Sequence, residues 1–162
     1  MSFHDKIIPW DNLESWRAAV RAAGKKLVVT NGCFDLLHVG HVTYLEQARN
    51  LGDVLLVGVT GDDSVRGLKG PGRPLNTECD RAAVLAALES VQGVCVFKER
   101  TAERFLSVAQ PDIYVKGGDY TLETLKPQEE RRIVERLGGK VLILSLVPGK
   151  STTEMVKKIA KL

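Results

Sequence analysis

The strongest constraint on the fold comes from five short apolar runs rich in Val, Ile and Leu, which are separated by amphipathic stretches. The runs are mostly apolar throughout, which is typical of strands covered on both faces. They predict strands at Leu27–Thr30, Val54–Thr60, Gly93–Phe97, Ile113–Lys116 and Lys140–Leu146. The intervening patterns predict helices at Leu13–Ala23, Val39–Leu51, Glu78–Leu88, Ala102–Ala109, Gln128–Leu137 and Thr152–Lys161. This alternation predicts an α/β fold, a doubly wound parallel sheet of five strands with helices on both faces.

The composition fits one globular domain. The 162 residues are 44% hydrophobic and 27% charged, which allows a buried core and excludes a disordered chain or a disulfide-stapled miniprotein. The net charge is +3, and residues 139–162 hold five Lys against Glu154 alone. The rest of the chain is therefore close to neutral, and nonspecific nucleic-acid binding is not favoured.

The cysteines indicate a reducing compartment. Cys33, Cys79 and Cys95 are odd in number and form no Cys-x-x-Cys pair, and the chain opens on no recognisable secretion signal. We therefore expect a cytoplasmic protein. The longest apolar stretches fall far short of the ~20 residues that cross a bilayer, so no membrane contact is expected.

Two of the three histidines lie in the loop after the first strand, where a helix begins. His38 and His41 are three residues apart, which places both imidazoles on one side of the first helical turn beside free backbone N–H groups. Such a position suits an anion, above all phosphate, and Gly40 is expected to let a ligand approach closely. The plainer alternative is a helix start with two solvated histidines. A zinc site is not expected, because the metalloprotease pattern spaces its histidines four apart around a Glu.

A second motif precedes the last predicted helix and reads Gly149-Lys150-Ser151-Thr152-Thr153. It is not a Walker A loop, because the position five before Gly149 is Leu144 and not glycine. One of the three hydroxyl residues is expected to cap the helix. Hydroxyl and backbone donation to phosphate is the functional alternative, and the two roles are compatible.

These motifs carry a family resemblance. Gly32-Cys33-Phe34-Asp35 followed by His38-Val39-Gly40-His41 is similar to the signature of the His-x-Gly-His nucleotidyltransferases, the cytidylyltransferase-like superfamily. The Ser/Thr-rich motif near the C-terminus resembles the phosphate motif of the same superfamily, so the resemblance covers most of the chain. It implies a Rossmann-like fold in a single domain, residues 1–162, with an N-terminal helical extension at 1–24 and a catalytic core at 25–162.

The resemblance also implies a set of site residues. The implied catalytic residues are His38, His41, Lys69 and Arg81. The implied nucleotide-binding residues are Asn31, Gly32, Cys33, Phe34, Gly40, Ser151, Thr152 and Thr153. The implied substrate-binding residues are Asp35, Arg73, Lys116, Gly118 and Asp119.

Three segments narrow the resemblance further. They are the 30–41 loop, the Lys69-x3-Arg73-Pro74 loop, and Val115–Tyr120 with the C-terminal motif. Together they resemble the adenylyltransferase domain of ADP-heptose synthases. This implies transfer of AMP from ATP to D-glycero-D-manno-heptose 1-phosphate. A chain of 162 residues leaves no room for the sugar kinase often fused to that domain, so we expect the stand-alone form. The alternative is a CTP-dependent cytidylyltransferase acting on glycerol 3-phosphate or a related polyol phosphate. The glycerol-3-phosphate enzymes usually carry an Arg-Thr-Glu-Gly stretch where this chain has Leu146–Lys150.

The resemblance implies roles as well. His38 and His41 would donate to α- and β-phosphate oxygens, and Lys69 would help to balance the triphosphate charge. Arg81 and Lys116 would hold the sugar phosphate, Asp35 would orient its loop or the sugar, and Asp119 would contact hydroxyls. Magnesium is expected through the nucleotide phosphates, without a dedicated protein metal site. A homodimer is usual in such families.

Two other classes of function stay open. One is a nucleotide-binding regulator that keeps the pocket without turnover. The other is a nucleic-acid-binding module that uses the basic C-terminus, although no aromatic residue follows Tyr120.

Overall fold

The computed structural model describes residues 1–118, 121–126 and 128–162. Its five strands are β1 (Leu27–Gly32), β2 (Val54–Thr60), β3 (Gly93–Phe97), β4 (Ile113–Gly117) and β5 (Lys140–Leu144). Its α-helices are α1 (Leu13–Ala22), α2 (Val39–Arg49), α3 (Asp62–Lys69), α4 (Glu78–Ala86), α5 (Glu103–Ala109), α6 (Gln128–Arg136) and α7 (Thr152–Ile159). Two 3₁₀ turns, Phe3–Lys6 and Trp10–Asn12, precede α1.

The strands form one parallel sheet in the order β3-β2-β1-β4-β5. All seven residues of β2 are buried, because helices cover both faces of the central strands. Side chains of α1, α5 and α6 fill one face and those of α2 and α4 fill the other. The predicted doubly wound α/β fold is confirmed. The division into an extension and a core remains a prediction.

The sheet creates a crevice where the chain reverses direction. From β1 the chain builds outward through β2 to β3, and then returns to add β4 on the other side of β1. The loops after β1 and β4 therefore diverge, which is where ligands bind in open α/β sheets.

Most elements differ from the predicted ones by one or two residues at one end, and three differences bear on the site. Helix α3 was not predicted, and only Ser64 and Val65 in it are buried. Strand β5 ends at Leu144, two residues early, and Leu146 instead lines a cavity. Strand β1 continues through Asn31 and Gly32, so the glycine of the motif ends the strand. Within the described residues, no helix is long and apolar enough to cross a membrane.

Candidate active site

Two adjoining cavities open at the carboxyl end of β1. The first has a volume of about 220 Å³ and lies over the loop after β1; the second, about 260 Å³, lies over the starts of α2 and α7. They share four lining residues: His41, Lys69, Leu146 and Thr152. The two sequence motifs, more than a hundred residues apart along the chain, thus form one site.

The two histidines are part of the helix cap itself. His38 is the N-cap residue of α2, and its Nδ1 accepts a hydrogen bond from the backbone N–H of Gly40 at 3.1 Å. His41 occupies the third helical position, and its Nδ1 accepts from the backbone N–H of His38 at 3.4 Å. The two rings are stacked with their centroids 3.9 Å apart. A capping box, usually built by hydroxyl and carboxyl groups, is here made by two imidazoles.

This arrangement determines where each imidazole carries its proton. An Nδ1 that accepts a hydrogen bond has no hydrogen of its own, so the neutral ring carries its N–H at Nε2. Burial, helped by the neighbouring His38 and Lys69, lowers the pKa of His41 from its ordinary value to about 4. Burial and Lys150 also lower the pKa of His38. Near neutral pH both side chains are therefore uncharged donors with a fixed tautomer.

Gly40 lines the second cavity and leaves room for the imidazole ring of His38. A Cβ at this position would lie 2.8 Å from the Cε1 and Nδ1 atoms of His38 and 3.2 Å from the Cβ of Lys150. The space that the sequence suggested for a ligand is therefore filled by the His38 ring. Gly40 acts by permitting the imidazole cap.

The 32–34 segment forms the floor of the first cavity. Phe34 adopts a left-handed backbone conformation with φ +52° and meets the His41 ring edge-on, with the centroids 5.4 Å apart. A Cβ on Gly32 would approach the Phe34 ring to 3.0 Å. Cys33 also lines the cavity, and burial raises the pKa of its thiol. The segment thus contributes a protonated thiol to the lining of the cavity.

The C-terminal motif joins α7 to the loop after β1. Ser151 is the N-cap residue of α7, and its Oγ accepts from the backbone N–H of Glu154 at 3.1 Å, which confirms the predicted capping role. The Thr152 hydroxyl donates to the carbonyl oxygen of Leu36 at 2.9 Å. Thr153 lines the second cavity without such a bond among the described residues.

Two lysines give the site its positive charge. Lys69, at the end of α3, lines both cavities, and Lys150 lines the second. Across residues 1–118, 121–126 and 128–162, neither lysine forms an ion pair. Lys150 was not among the predicted site residues. Its place directly before the Ser-Thr-Thr sequence was the available signal.

Asp35 anchors the loop that follows α3. Its carboxylate accepts from the backbone N–H groups of Leu75 at 2.8 Å and Asn76 at 2.9 Å, and it pairs with Arg73 at 3.3 Å. The Asp35 side chain is only 2% exposed. Burial alone would raise its pKa, but the hydrogen bonds from Asn76, Leu75 and Arg73 outweigh it and lower the pKa. The carboxylate thus orients a loop, but this is the 70–76 loop and not the predicted loop that carries Asp35 itself, and Arg73 is part of the same anchor.

Arg81 is buried behind the site and not directed into it. Within residues 1–118, 121–126 and 128–162, its guanidinium donates three hydrogen bonds: to the carbonyls of Cys33 at 2.6 Å and Asn76 at 3.0 Å, and to the carboxylate of Asp62 at 2.7 Å. Its side chain has no solvent exposure. This placement differs from the predicted contact with a substrate phosphate. A buried guanidinium needs several acceptors, and here they connect the loop after β1, the 70–76 loop and α3.

Two predicted substrate residues, Lys116 and Gly118, lie at the end of β4. Lys116 forms an ion pair with the buried Glu130 of α6 at 3.3 Å, so its charge is already partnered. Gly118 has φ +145°, and its N–H donates to the Leu144 carbonyl at 3.0 Å, which extends the pairing of β4 with β5. Asp119 lies outside the described residues.

The family follows from comparison with known proteins. Residues 29–158 match the sequence model of a family described as cytidylyltransferase-like. The chain belongs to this family. The match includes both cavities and every predicted site residue.

Individual relatives agree with the assignment. The chain is 52% identical over 151 residues to the bifunctional protein HldE of Geotalea uraniireducens, covering 91% of this chain and 30% of that protein. It is 47% identical over 159 residues to the HldE of Syntrophotalea carbinolica, covering 98% of this chain and 32% of that protein. The chain thus spans about a third of the length of these curated relatives.

A solved structure shares the fold. The lipopolysaccharide core biosynthesis protein of Thermoplasma volcanium is 30% identical, with a TM-score of 0.62. The likeness covers 76% of this chain and 98% of that one. The sheet described above therefore belongs to a fold already seen in a crystal.

Proposed function

We propose that this chain is a nucleotidyltransferase that transfers AMP from ATP to D-glycero-D-manno-heptose 1-phosphate and releases pyrophosphate. The observation that carries the proposal is the pair of neutral imidazoles at the start of α2, each with Nδ1 occupied by a backbone N–H. Lys69 and Lys150, which form no ion pair within the part of the chain that the structure describes, complete a site rich in donors and positive charge. Asp35, a carboxylate that lines the first cavity, is already bound by the 70–76 loop.

The reaction needs no protein nucleophile in this site. An oxygen of the sugar 1-phosphate attacks the α-phosphorus of ATP, and the bond from that phosphorus to the bridging oxygen of the β-phosphate breaks. Pyrophosphate leaves with the electron pair of the broken bond. A phosphate monoester is already an adequate nucleophile near neutral pH, so catalysis rests on alignment and on stabilising charge.

His38 and His41 would supply that stabilisation. Their Nε2–H groups are held by the helix cap, so little reorganisation is needed as charge builds up on the phosphate oxygens. Lys69 and Lys150 would bind the triphosphate, with Ser151, Thr152 and Thr153 presenting the N-terminus of α7. Arg81, Asp35 and Arg73 act as positioning residues.

The choice of substrate is supported by the relatives. HldE proteins match the chain at about half identity over most of its length, and the crystal-structure relative is described as a lipopolysaccharide core biosynthesis protein. We propose Mg²⁺ as the accompanying ion, bound through nucleotide phosphates because it prefers oxygen ligands and needs few from protein. No step above depends on it.

The assembly and location are also proposals. A homodimer is supported by exposed apolar side chains on the neighbouring elements α2 and β5: Val39 is 55% exposed, Val42 43% and Leu142 37%. A cytoplasmic location is supported by the three free thiols of Cys33, Cys79 and Cys95.

The deciding experiment is a matrix of ATP, CTP and GTP against heptose 1-phosphate, glycerol 3-phosphate and related phosphates, read by pyrophosphate release. The proposal predicts turnover with ATP and heptose 1-phosphate. Activity only with CTP would leave the site intact and overturn the substrate. No activity with any pair, while nucleotide still binds, would favour a regulator. A tight complex with DNA or RNA that weakens with salt would favour the nucleic-acid alternative.

A further inference from the structure

The Asn31 side chain lies at the end of a buried polar chain that leads away from the first cavity. The Tyr114 hydroxyl oxygen is 2.5 Å from the terminal atom of Asn31 placed as Oδ1, and 2.8 Å from Oε2 of Glu130. The same Oε2 lies 3.3 Å from the ammonium of Lys116. Tyr114 and Glu130 are almost fully buried. Asn31 is less buried and lines the cavity.

Tyr114 cannot donate to both of its neighbours. A phenol has one hydrogen, and it can accept hydrogen bonds from other donors at the same oxygen. If the hydrogen points to Glu130, then Asn31 must donate to Tyr114 through its amide N–H. If it points to Asn31, then Glu130 must carry a proton of its own.

The surroundings of Glu130 favour the first arrangement. Its Oε1 accepts from the backbone N–H of Ala102 at 2.9 Å, and Lys116 supplies a positive charge at Oε2. These are partners of a carboxylate, which attracts the phenol hydrogen more strongly than an amide oxygen does. Burial, and next the charge and hydrogen bond of Glu130, raise the pKa of Tyr114 well above its ordinary value, so the phenol keeps its proton.

The amide of Asn31 must then turn its nitrogen toward Tyr114. The two terminal atoms of an amide exchange places by a half-turn, so their hydrogen-bonding partners determine the orientation. We propose that Lys116, Glu130 and Tyr114 orient Asn31 so that its Oδ1 faces the cavity and accepts a hydrogen bond from a substrate hydroxyl. This proposal rests on the proposed function, because it assigns a substrate group to the same site.

The charge pattern of the site supports a hydroxyl as the partner. Phosphate oxygens are acceptors, and the donors for them are His38, His41, Lys69 and Lys150. An amide oxygen in the same cavity would repel phosphate, and it needs a group that carries a hydrogen. Ribose and the sugar substrate both bring hydroxyls, so Asn31 becomes a residue that selects hydroxylated substrates.

The kinetic test compares kcat/KM for each substrate with that for its deoxy analogue. The analogues are 2′-deoxy-ATP, 3′-deoxy-ATP and deoxy sugar 1-phosphates, so the analogue that loses rate identifies whether the hydroxyl belongs to the nucleotide or to the sugar. One lost hydrogen bond predicts about a tenfold preference for the hydroxylated substrate in the wild type. Asn31→Ala removes this preference, and Tyr114→Phe lowers it to about threefold or less, because the amide is free to turn.

Tyr44→Phe is the matched control. It also removes a buried phenol hydroxyl, one that contacts Thr30 at 2.7 Å and the Val115 carbonyl at 3.1 Å but not Asn31. It should keep the wild-type preference even if it lowers stability or rate. The proposal is overturned if the wild type prefers no hydroxylated substrate, if Asn31→Ala keeps the preference, or if Tyr114→Phe behaves like Tyr44→Phe.

A second measurement does not depend on turnover. In ¹⁵N-labelled protein, with the Asn31 side-chain signals assigned by their loss in Asn31→Ala, the amide protons should show nuclear Overhauser contacts to the Tyr114 ring. Contacts that are absent would overturn the orientation. Failure of the wild type to use ATP with heptose 1-phosphate, with those contacts present, would instead count against the proposed function alone.

Discussion

Replacing Asp35 by Asn should loosen the 70–76 loop while changing the side-chain volume little. The carboxylate accepts two backbone N–H bonds and pairs with Arg73. The Asn side chain keeps one acceptor oxygen and directs an NH₂ group at a donor. Hydrogen bonds to charged groups contribute about 1.5–3 kcal/mol each. With one such bond lost and one weakened, we expect the free energy of unfolding to fall by about 2–3 kcal/mol.

The assay is urea unfolding of Asp35→Asn beside Asp63→Asn. Asp63 forms an ion pair with Arg66, but its side chain is 99% exposed, so its loss should cost less than about 0.5 kcal/mol. The expected loss for Asp35→Asn corresponds to a Tm lower by roughly 5–10 °C in a protein of this size. Because the pKa of Asp35 is lowered, its stabilisation is present above its unfolded-state pKa and is lost as pH falls through its folded-state value. The reasoning is refuted if the two variants unfold alike at pH 7.

Three further predictions concern the helix cap and Lys150 beside it. Gly40→Ala should destabilise the protein and slow turnover at least tenfold, because the added Cβ meets the His38 ring. The control Gly67→Ala should instead gain up to ~1 kcal/mol of helix stability, because its Cβ meets only the flexible end of the Arg100 side chain. Equal unfolding midpoints for the two variants would contradict this reasoning. Lys150→Gln should raise the KM for ATP about tenfold with little change for the sugar phosphate, a pattern reversed if Lys150 faces the sugar. Since the pKa of folded His41 is about 4, stability should decline as pH falls from about 6.5 toward 4, because the unfolded chain binds the proton first. A His41→Gln variant whose melting temperature declines equally over that range would rule this out.

The sequence predicted the parts of the fold that depend on local pattern. Strands such as β2 are apolar at nearly every position, and such a short apolar run is typical of a strand covered on both faces. The histidine motif was also readable, because both the helix start and the three-residue spacing are local. The short polar helix α3 was missed. It has acidic residues, Asp62 and Asp63, in its first turn and basic residues, Arg66 and Lys69, in its last turn. That complement to the helix dipole was the signal overlooked.

The partners of charged side chains could not be read from the chain. Arg81 and Cys33 are 48 positions apart, and Lys116 and Glu130 are 14 apart across a β4–α6 connection. Such contacts are made by the fold, and a cation after an apolar strand looks the same whether it binds phosphate or a buried carboxylate. The sequence motifs lie where the two cavities open, but they did not separate residues that face a cavity from those that hold its walls.

The central claim is that two neutral imidazoles fixed by the α2 cap stabilise the transferring phosphate. The direct test is kcat for His38→Ala and His41→Ala in pyrophosphate release from ATP and heptose 1-phosphate, with folding checked by melting temperature. Loss of one such donor should lower kcat by about 10²–10³. Folded variants that keep kcat within about threefold of the wild type, far short of that loss, would contradict the account.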